Sequence, residues 1–158
     1  MRAIENAVGR TLRAVSVILF AAIMLLMIAI VCNRFVVVGS TDWSDEIIEL
    51  MVVWMVFCGS AEVWRMRGHF FVEIIPMMMK STHYDRAYRV FVACAGLLFV
   101  AIFTYQSFDL FMRAVDESPY FSLTRRLWYG ALPLNGLLMC LFSLRELYEL
   151  LLPVRARA

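Results

Sequence analysis

Histidine and cysteine are scarce in this chain, and the residue patterns that build most enzyme sites are missing from it. The 158 residues include two histidines and four cysteines. His69 and His83 fall in one connecting segment, so no histidine pair is placed to hold haem from within a helix bundle. The cysteines, Cys32, Cys58, Cys94 and Cys140, form no CxxC pair, and each falls in a different apolar run. Neither a disulfide framework nor a metal centre is expected. They read instead as small packing residues, because free cysteine behaves as a buried hydrophobe. There is no nucleophile elbow, Walker loop, HExxH or dinucleotide fingerprint. The chain is expected to be no enzyme and to carry no cofactor.

Charge is also thin. Charged residues make up 18% of the chain and hydrophobic ones 63%, against roughly 45–50% apolar for an ordinary soluble domain. The mean hydropathy is +0.76, which points to lipid as the solvent. The net charge of +2 leaves nothing to suggest a nucleic-acid partner.

What is present are long runs without formal charge: Val15 to Asn33, Val90 to Phe108 and Leu127 to Leu144. Each would extend roughly 27–29 Å as an α-helix, close to the ~30 Å hydrocarbon layer. A fourth segment, Ile47 to Val63, is apolar and aromatic but carries Glu49 near one end and Glu62 near the other. Because both carboxylates sit close to the ends, it too reads as a span. The fold expected is an all-α membrane protein with spans at about 15–38, 46–64, 89–109 and 127–147. With no repeat, low-complexity tract or Gly/Ser linker, residues 1–158 are expected to form a single membrane domain. Cys32-Asn33-Arg34-Phe35 offers no small-residue cleavage site, so the first span is expected to be retained.

Basic residues set the expected orientation. Arg2, Arg10 and Arg13 precede the first span, Arg65, Arg67, Lys80, Arg86 and Arg89 lie between the second and third, and Arg145, Arg155 and Arg157 follow the fourth. The other side has only Arg34, Arg113, Arg125 and Arg126. The positive-inside rule therefore places both termini in the cytoplasm, with the basic residues meeting anionic membrane lipid.

The connecting segments add detail. Ser44 can cap the second helix, with Asp45 and Glu46 in its first turn favouring the positive end of the helix dipole, and Trp43 anchoring at the interface. The stretch from His69 to Met79 is apolar but short, and Glu73 and Pro76 interrupt it. It is expected to lie on the cytoplasmic membrane surface. Residues 113–119 are polar and turn-forming, and Trp128 and Tyr129 mark re-entry into the membrane. Pro133 should kink the fourth helix or sit in its first turns. Arg145, Glu146 and Glu149 read as its solvated end.

Few side chains are candidates for chemistry. A carboxylate within a span, as at Glu62, often marks an ion pathway, but Arg65 three residues later can simply pair with it. Asp42, Asp45, Glu46 and Glu49 form an acidic outward rim, readable as a contact for an arriving partner or as a solvated helix start. His69 reads as a residue that orders its loop. Gly59, Ser60 and Ala61 offer a close-approach patch which, with Trp54, is expected to face a partner.

Several of these stretches together resemble the small membrane subunit of tripartite ATP-independent periplasmic (TRAP) transporters, the DctQ type, over nearly the whole chain. The likeness runs through Asn33-Arg34-Phe35, Trp43-Ser44-Asp45-Glu46, Val53-Trp54 and Phe57-Cys58-Gly59-Ser60-Ala61. It continues in Arg67-Gly68-His69-Phe70-Phe71-Val72-Glu73, similar to a G-H-x-x-V-D stretch, and in Tyr129-Gly130-Ala131-Leu132-Pro133-Leu134. Asp45 stands where glutamate is common and Glu73 where aspartate is usual, and both keep the charge. The resemblance implies a sodium-coupled importer of an organic acid in the bacterial inner membrane. In it a periplasmic substrate-binding protein delivers to a large subunit, and the small subunit braces that subunit and helps form the docking surface. It picks out Trp43, Asp45, Glu46, Glu49, Trp54, Gly59, Arg67, Gly68, His69, Glu73 and Pro133 as motif, interface or docking positions. The competing reading is a small homodimeric proton-coupled multidrug exporter using Glu62.

Overall fold

In the computed structural model, residues 2–36, 43–66 and 82–151 are described. They form three long helices, a single helical turn and a fourth long helix. The predicted surface segment, with Arg67, Gly68, His69 and Glu73, lies outside the described residues, as do residues 37–42 and 152–158.

The first helix, α1, runs Arg2–Val36. Its 35 residues would extend about 52 Å, well beyond one hydrocarbon layer. It begins far ahead of the apolar run because the arm before Val15 is itself amphipathic. Val8, Leu12 and Val15 recur at i, i+4 and i+7, and all three pack into the core.

Helix α2 spans Trp43–Arg65, with Asp45 and Glu46 in its first turn and Arg65 in its last, each at the end of the dipole that suits its charge. The helix starts before Ser44, so Ser44 is not its N-cap but a residue of the first turn, 1% exposed. Helix α3 covers Thr82–Arg113. The one-turn helix α4 (Arg126–Tyr129) and α5 (Ala131–Leu151) follow, separated by Gly130. Pro133 is the third residue of α5. Its missing N–H falls in the first turn, where backbone donors have no helical acceptor anyway, and the helix continues through it.

Among the described residues four segments are long and apolar enough to cross a membrane: Glu5–Phe35, Trp43–Arg65, Ala87–Arg113 and Arg126–Leu151. Extensive packing joins α1 to α2, α2 to α5 and α5 to α3. Phe57 of α2 also stacks on Phe103 of α3, with ring centroids 6.0 Å apart. One core cluster draws Leu12 from α1, Cys58 and Ala61 from α2, Val100 from α3 and Met139 from α5, so every spanning helix contributes to it. Helices α3 and α5 pack closely at Gly136. A Cβ on Gly136 would stand 2.5 Å from Thr104 Oγ1 and 3.5 Å from its Cα, so only glycine fits there.

The expectation that all four cysteines pack inward holds for half of them. Cys58 is buried and Cys140 partly so, whereas Cys32 and Cys94 are exposed, and all four thiols are free. A thiol is small enough to sit on either face of an apolar helix, so its identity does not choose one.

Candidate functional site

The charged side chains that pair across or along the helices collect at the two ends of the bundle, while Asn135, fully buried, and Thr104 lie between them. One end carries the start of α1 and the end of α5 and is called here the terminal end. The other carries the segment between α3 and α4 and is called the loop end.

At the terminal end, Glu62 is 5% exposed although it sits on a spanning helix. Its position in the last turns of α2 puts Arg65 on the same face, and the two form a bidentate pair: Arg65 Nε to Oε2 at 2.7 Å and Nη2 to Oε1 at 2.8 Å. A second guanidinium arrives from α1, with Arg13 Nη2 3.0 Å from Oε1. One carboxylate thereby holds two helices together, and charge-assisted bonds of this kind are the stronger class. Arg65 reaches this place by lying across Gly9, where a Cβ would come within 2.3 Å of Arg65 Nε. Beside it, Arg145 of α5 pairs with Glu5 of α1 and, at 3.0 Å, with Glu149. The end of α5 is thus linked to α1 by an ion pair, with Arg145 and Glu149 remaining 28% and 41% exposed. Trp64 Nε1 donates to Ser143 Oγ at 2.8 Å and joins α2 to α5.

At the loop end, Glu46 in the first turn of α2 gathers the loop before α4. Its carboxylate accepts from Ser118 Oγ at 2.8 Å, Tyr120 N at 2.6 Å and Phe121 N at 3.3 Å. The loop presents these donors because it doubles back. Ser118 N donates to Leu123 O at 2.8 Å, Ser122 N to Ser118 O at 3.1 Å, and Leu123 N to Ser118 Oγ at 3.2 Å. Ser122 makes the reversal with φ 50°, a left-handed conformation that non-glycine residues rarely adopt. One turn further along α2, Glu49 accepts from Arg125 Nη1 at 3.1 Å. Trp54 Nε1 donates to Leu127 O at 3.0 Å, capping the join between loop and helix.

The residues singled out from sequence thus fall in different places. Glu46, Glu49 and Trp54 meet the segment 118–127, while Asp45 is exposed beside them and Trp43 is half-buried at the start of α2. Gly59 faces Ser16 of α1, with the Cβ position 3.6 Å from Ser16 Oγ, and Ala61 is fully buried in the core. Sequence reasoning missed Arg13, Glu5, Gly9, Ser118 and the pair Thr104 and Gly136. For Gly136, a lone glycine within a run of large apolar residues was the available signal. Among the described residues no group of three His, Cys, Asp or Glu side chains could hold a metal ion.

Four apolar spanning helices closed by polar groups at both ends define a multi-pass helical membrane protein. The family model described as tripartite ATP-independent periplasmic transporters, DctQ component, matches residues 23–152, and the chain belongs to this family. It is a small membrane subunit of a TRAP transporter, a multi-pass protein of the inner membrane. No match was found among curated proteins.

Proposed function

We propose that this chain is the non-catalytic scaffold of a sodium-coupled TRAP importer of an organic acid. It braces a large transport subunit in the bilayer and offers part of the surface on which a periplasmic substrate-binding protein docks. In this reading the whole chain is one membrane unit. The terminal end faces the cytoplasm, where most of its arginines would meet anionic lipid, and the loop end faces the periplasm.

The observation that carries the reading is what the polar side chains do. Glu62 and Arg13, Trp64 and Ser143, Glu46 and the loop, and Trp54 and Leu127 all bond one element of the chain to another. A transport site places polar groups and broken helices around a substrate near the midplane. Here the charged groups act as fasteners at the ends, which suits a frame that resists movement. Glu62 in particular is held by two arginines, an arrangement that favours the fixed frame over the proton-coupled exporter.

The test is to tag the chain, extract native membranes in mild detergent and identify what remains bound. A large multi-span protein recovered in about equal amount is the expected result. Recovery of the chain alone, as a homodimer that moves substrate in vesicles, would overturn the proposal.

A further inference from the structure

The open faces of the spanning helices are not alike. Between Val17 and Val31 the exposed residues of α1 are all apolar, as they are on α2 between Val52 and Val63 and on α5 between Leu134 and Leu144. Such faces need only lipid tails. On α3 the corresponding face carries Leu98 and Ile102, then Tyr105, which is 74% exposed, and Gln106, also exposed. Neither Tyr105 nor Gln106 makes a side-chain hydrogen bond to another described residue. Asp109, one turn on, is paired with Arg113 at 2.9 Å.

The depth of these groups follows from packing. Thr104 lies against Gly136, which stands midway along the charge-free run from Leu127 to Leu144. Gln106 is two residues further along α3, so by the packing against α5 it sits roughly 3 Å from the level of Gly136 and about 10 Å short of the loop end of the α5 run, while on α3 itself it lies two residues inside the last uncharged position, Phe108. A primary amide there has two donors and an acceptor, and hydrocarbon offers them nothing. Leaving them unpaired in hydrocarbon is strongly unfavourable.

We infer that the α3 face bearing Ile102, Tyr105 and Gln106 is the seat of the large membrane subunit, which supplies a hydrogen-bonding side chain from one of its own spanning helices at the level of Gln106. The proposal rests on the reading of the chain as one subunit of a transporter. It adds to that reading a particular face and the chemistry of the contact. Interhelical hydrogen bonds beside close apolar packing are how helices choose partners where lipid removes the hydrophobic drive. The faces of α1 and α5, with no such groups, are left to lipid.

The experiment uses the complete transporter in its native membrane. A photo-crosslinking amino acid is placed at Ile102, Tyr105 or Gln106, and in parallel at Leu25 on α1 and at Leu137 or Leu141 on α5. The large subunit is expected to be captured from the three α3 positions and not from the others. Capture of that subunit only from α1 or α5 would overturn this proposal and leave the subunit reading standing. Capture of lipid alone, or of a second copy of this chain, at positions 105 and 106 would overturn it as well. Failure of every position to capture a larger membrane protein, with the tagged chain recovered alone, would overturn both. In a second arm, Gln106→Leu should weaken recovery of the large subunit about three- to thirty-fold, the range expected for one interhelical hydrogen bond. Unchanged recovery would count against the proposal. Cross-linking between cysteines introduced on α3 and α5 away from Gly136 would report that the chain itself still packs.

Discussion

The two ends of the bundle are fastened by different chemistry. At the terminal end, charge meets charge across helices, Glu62 with Arg13 and Glu5 with Arg145, and Arg65 reinforces Glu62 from within α2. At the loop end, the carboxylate of Glu46 meets backbone N–H groups and one hydroxyl. The first arrangement fixes helices directly, adding a clamp to the packing of Leu12 and its neighbours on α1 against α2. The second fixes a loop, and the helices beneath are joined independently by the Thr104 and Gly136 contact and by the core cluster. The comparison yields an expectation: damage at the terminal end should loosen the whole frame, whereas damage at the loop end should stay local.

The largest effect is expected from Glu62→Ala. Removing the carboxylate leaves Arg65, whose side chain is 16% exposed, without its partner, while Arg13, at 59%, can turn to water. A cost of roughly 3 kcal/mol follows, the lower part of the range for breaking a buried pair, since one partner is solvated. It should be read as a lower unfolding midpoint in detergent, with reduced cross-linking between cysteines placed in α1 and α2. An unchanged midpoint would mean that the clamp is not needed to hold α1.

Gly136→Val tests the middle of the bundle, which both ends share. The new side chain would meet Thr104 with a Cβ contact of 2.5 Å to Oγ1, and overpacking of this kind costs about 1–3 kcal/mol. Separation of α3 from α5, detected as loss of cross-linking between them, is the expected outcome. Pairing it with Thr104→Ala, which clears the space, should restore much of the loss.

At the loop end, Glu46→Ala removes the acceptor for three donors at once. Because Tyr120 and Phe121 are exposed, water can take over their backbone N–H groups, so the cost should be only about 1–2 kcal/mol. The informative readout is local. Chymotrypsin should cut after Tyr120 or Phe121 faster in the variant, with the unfolding midpoint close to that of the parent. A fall in midpoint as large as that of Glu62→Ala would erase the distinction between the ends.

How much of this was readable beforehand depends on sequence distance. The four spans were legible because burial in lipid demands long apolar runs, and the Glu62 and Arg65 pair because i, i+3 spacing on a helix is a local rule. Arg13 was not, since nothing local connects it to a carboxylate 49 positions away. The arm before Val15 enters the sequence reading only through Arg2, Arg10 and Arg13, although Val8 and Leu12 already carry the helical period. Glu46 and Glu49 read as an outward rim because their acceptors were visible and their donors, 72 to 76 positions later, were not. Gly59 and Ala61 show the same limit: small residues announce a close approach without saying what approaches, and here α1 and the core take up the space.

The smallest effect should come from Glu49→Ala, and it sharpens the contrast within the loop end itself. Glu49 and Arg125 pair at 3.1 Å, but their side chains are 51% and 29% exposed, so water competes for both and the pair is worth only about 0–1 kcal/mol. Arg125 also keeps a second contact, with its guanidinium carbon 5.7 Å from the centre of the Trp128 ring. That contact should hold the side chain in place after the carboxylate is gone. Neither the unfolding midpoint nor the rate of chymotryptic cleavage should move measurably. Arg125→Ala, which removes both contacts, should speed cleavage more than Glu49→Ala does. If the two variants speed cleavage equally, the ion pair and not the aromatic ring is what holds Arg125 against the loop.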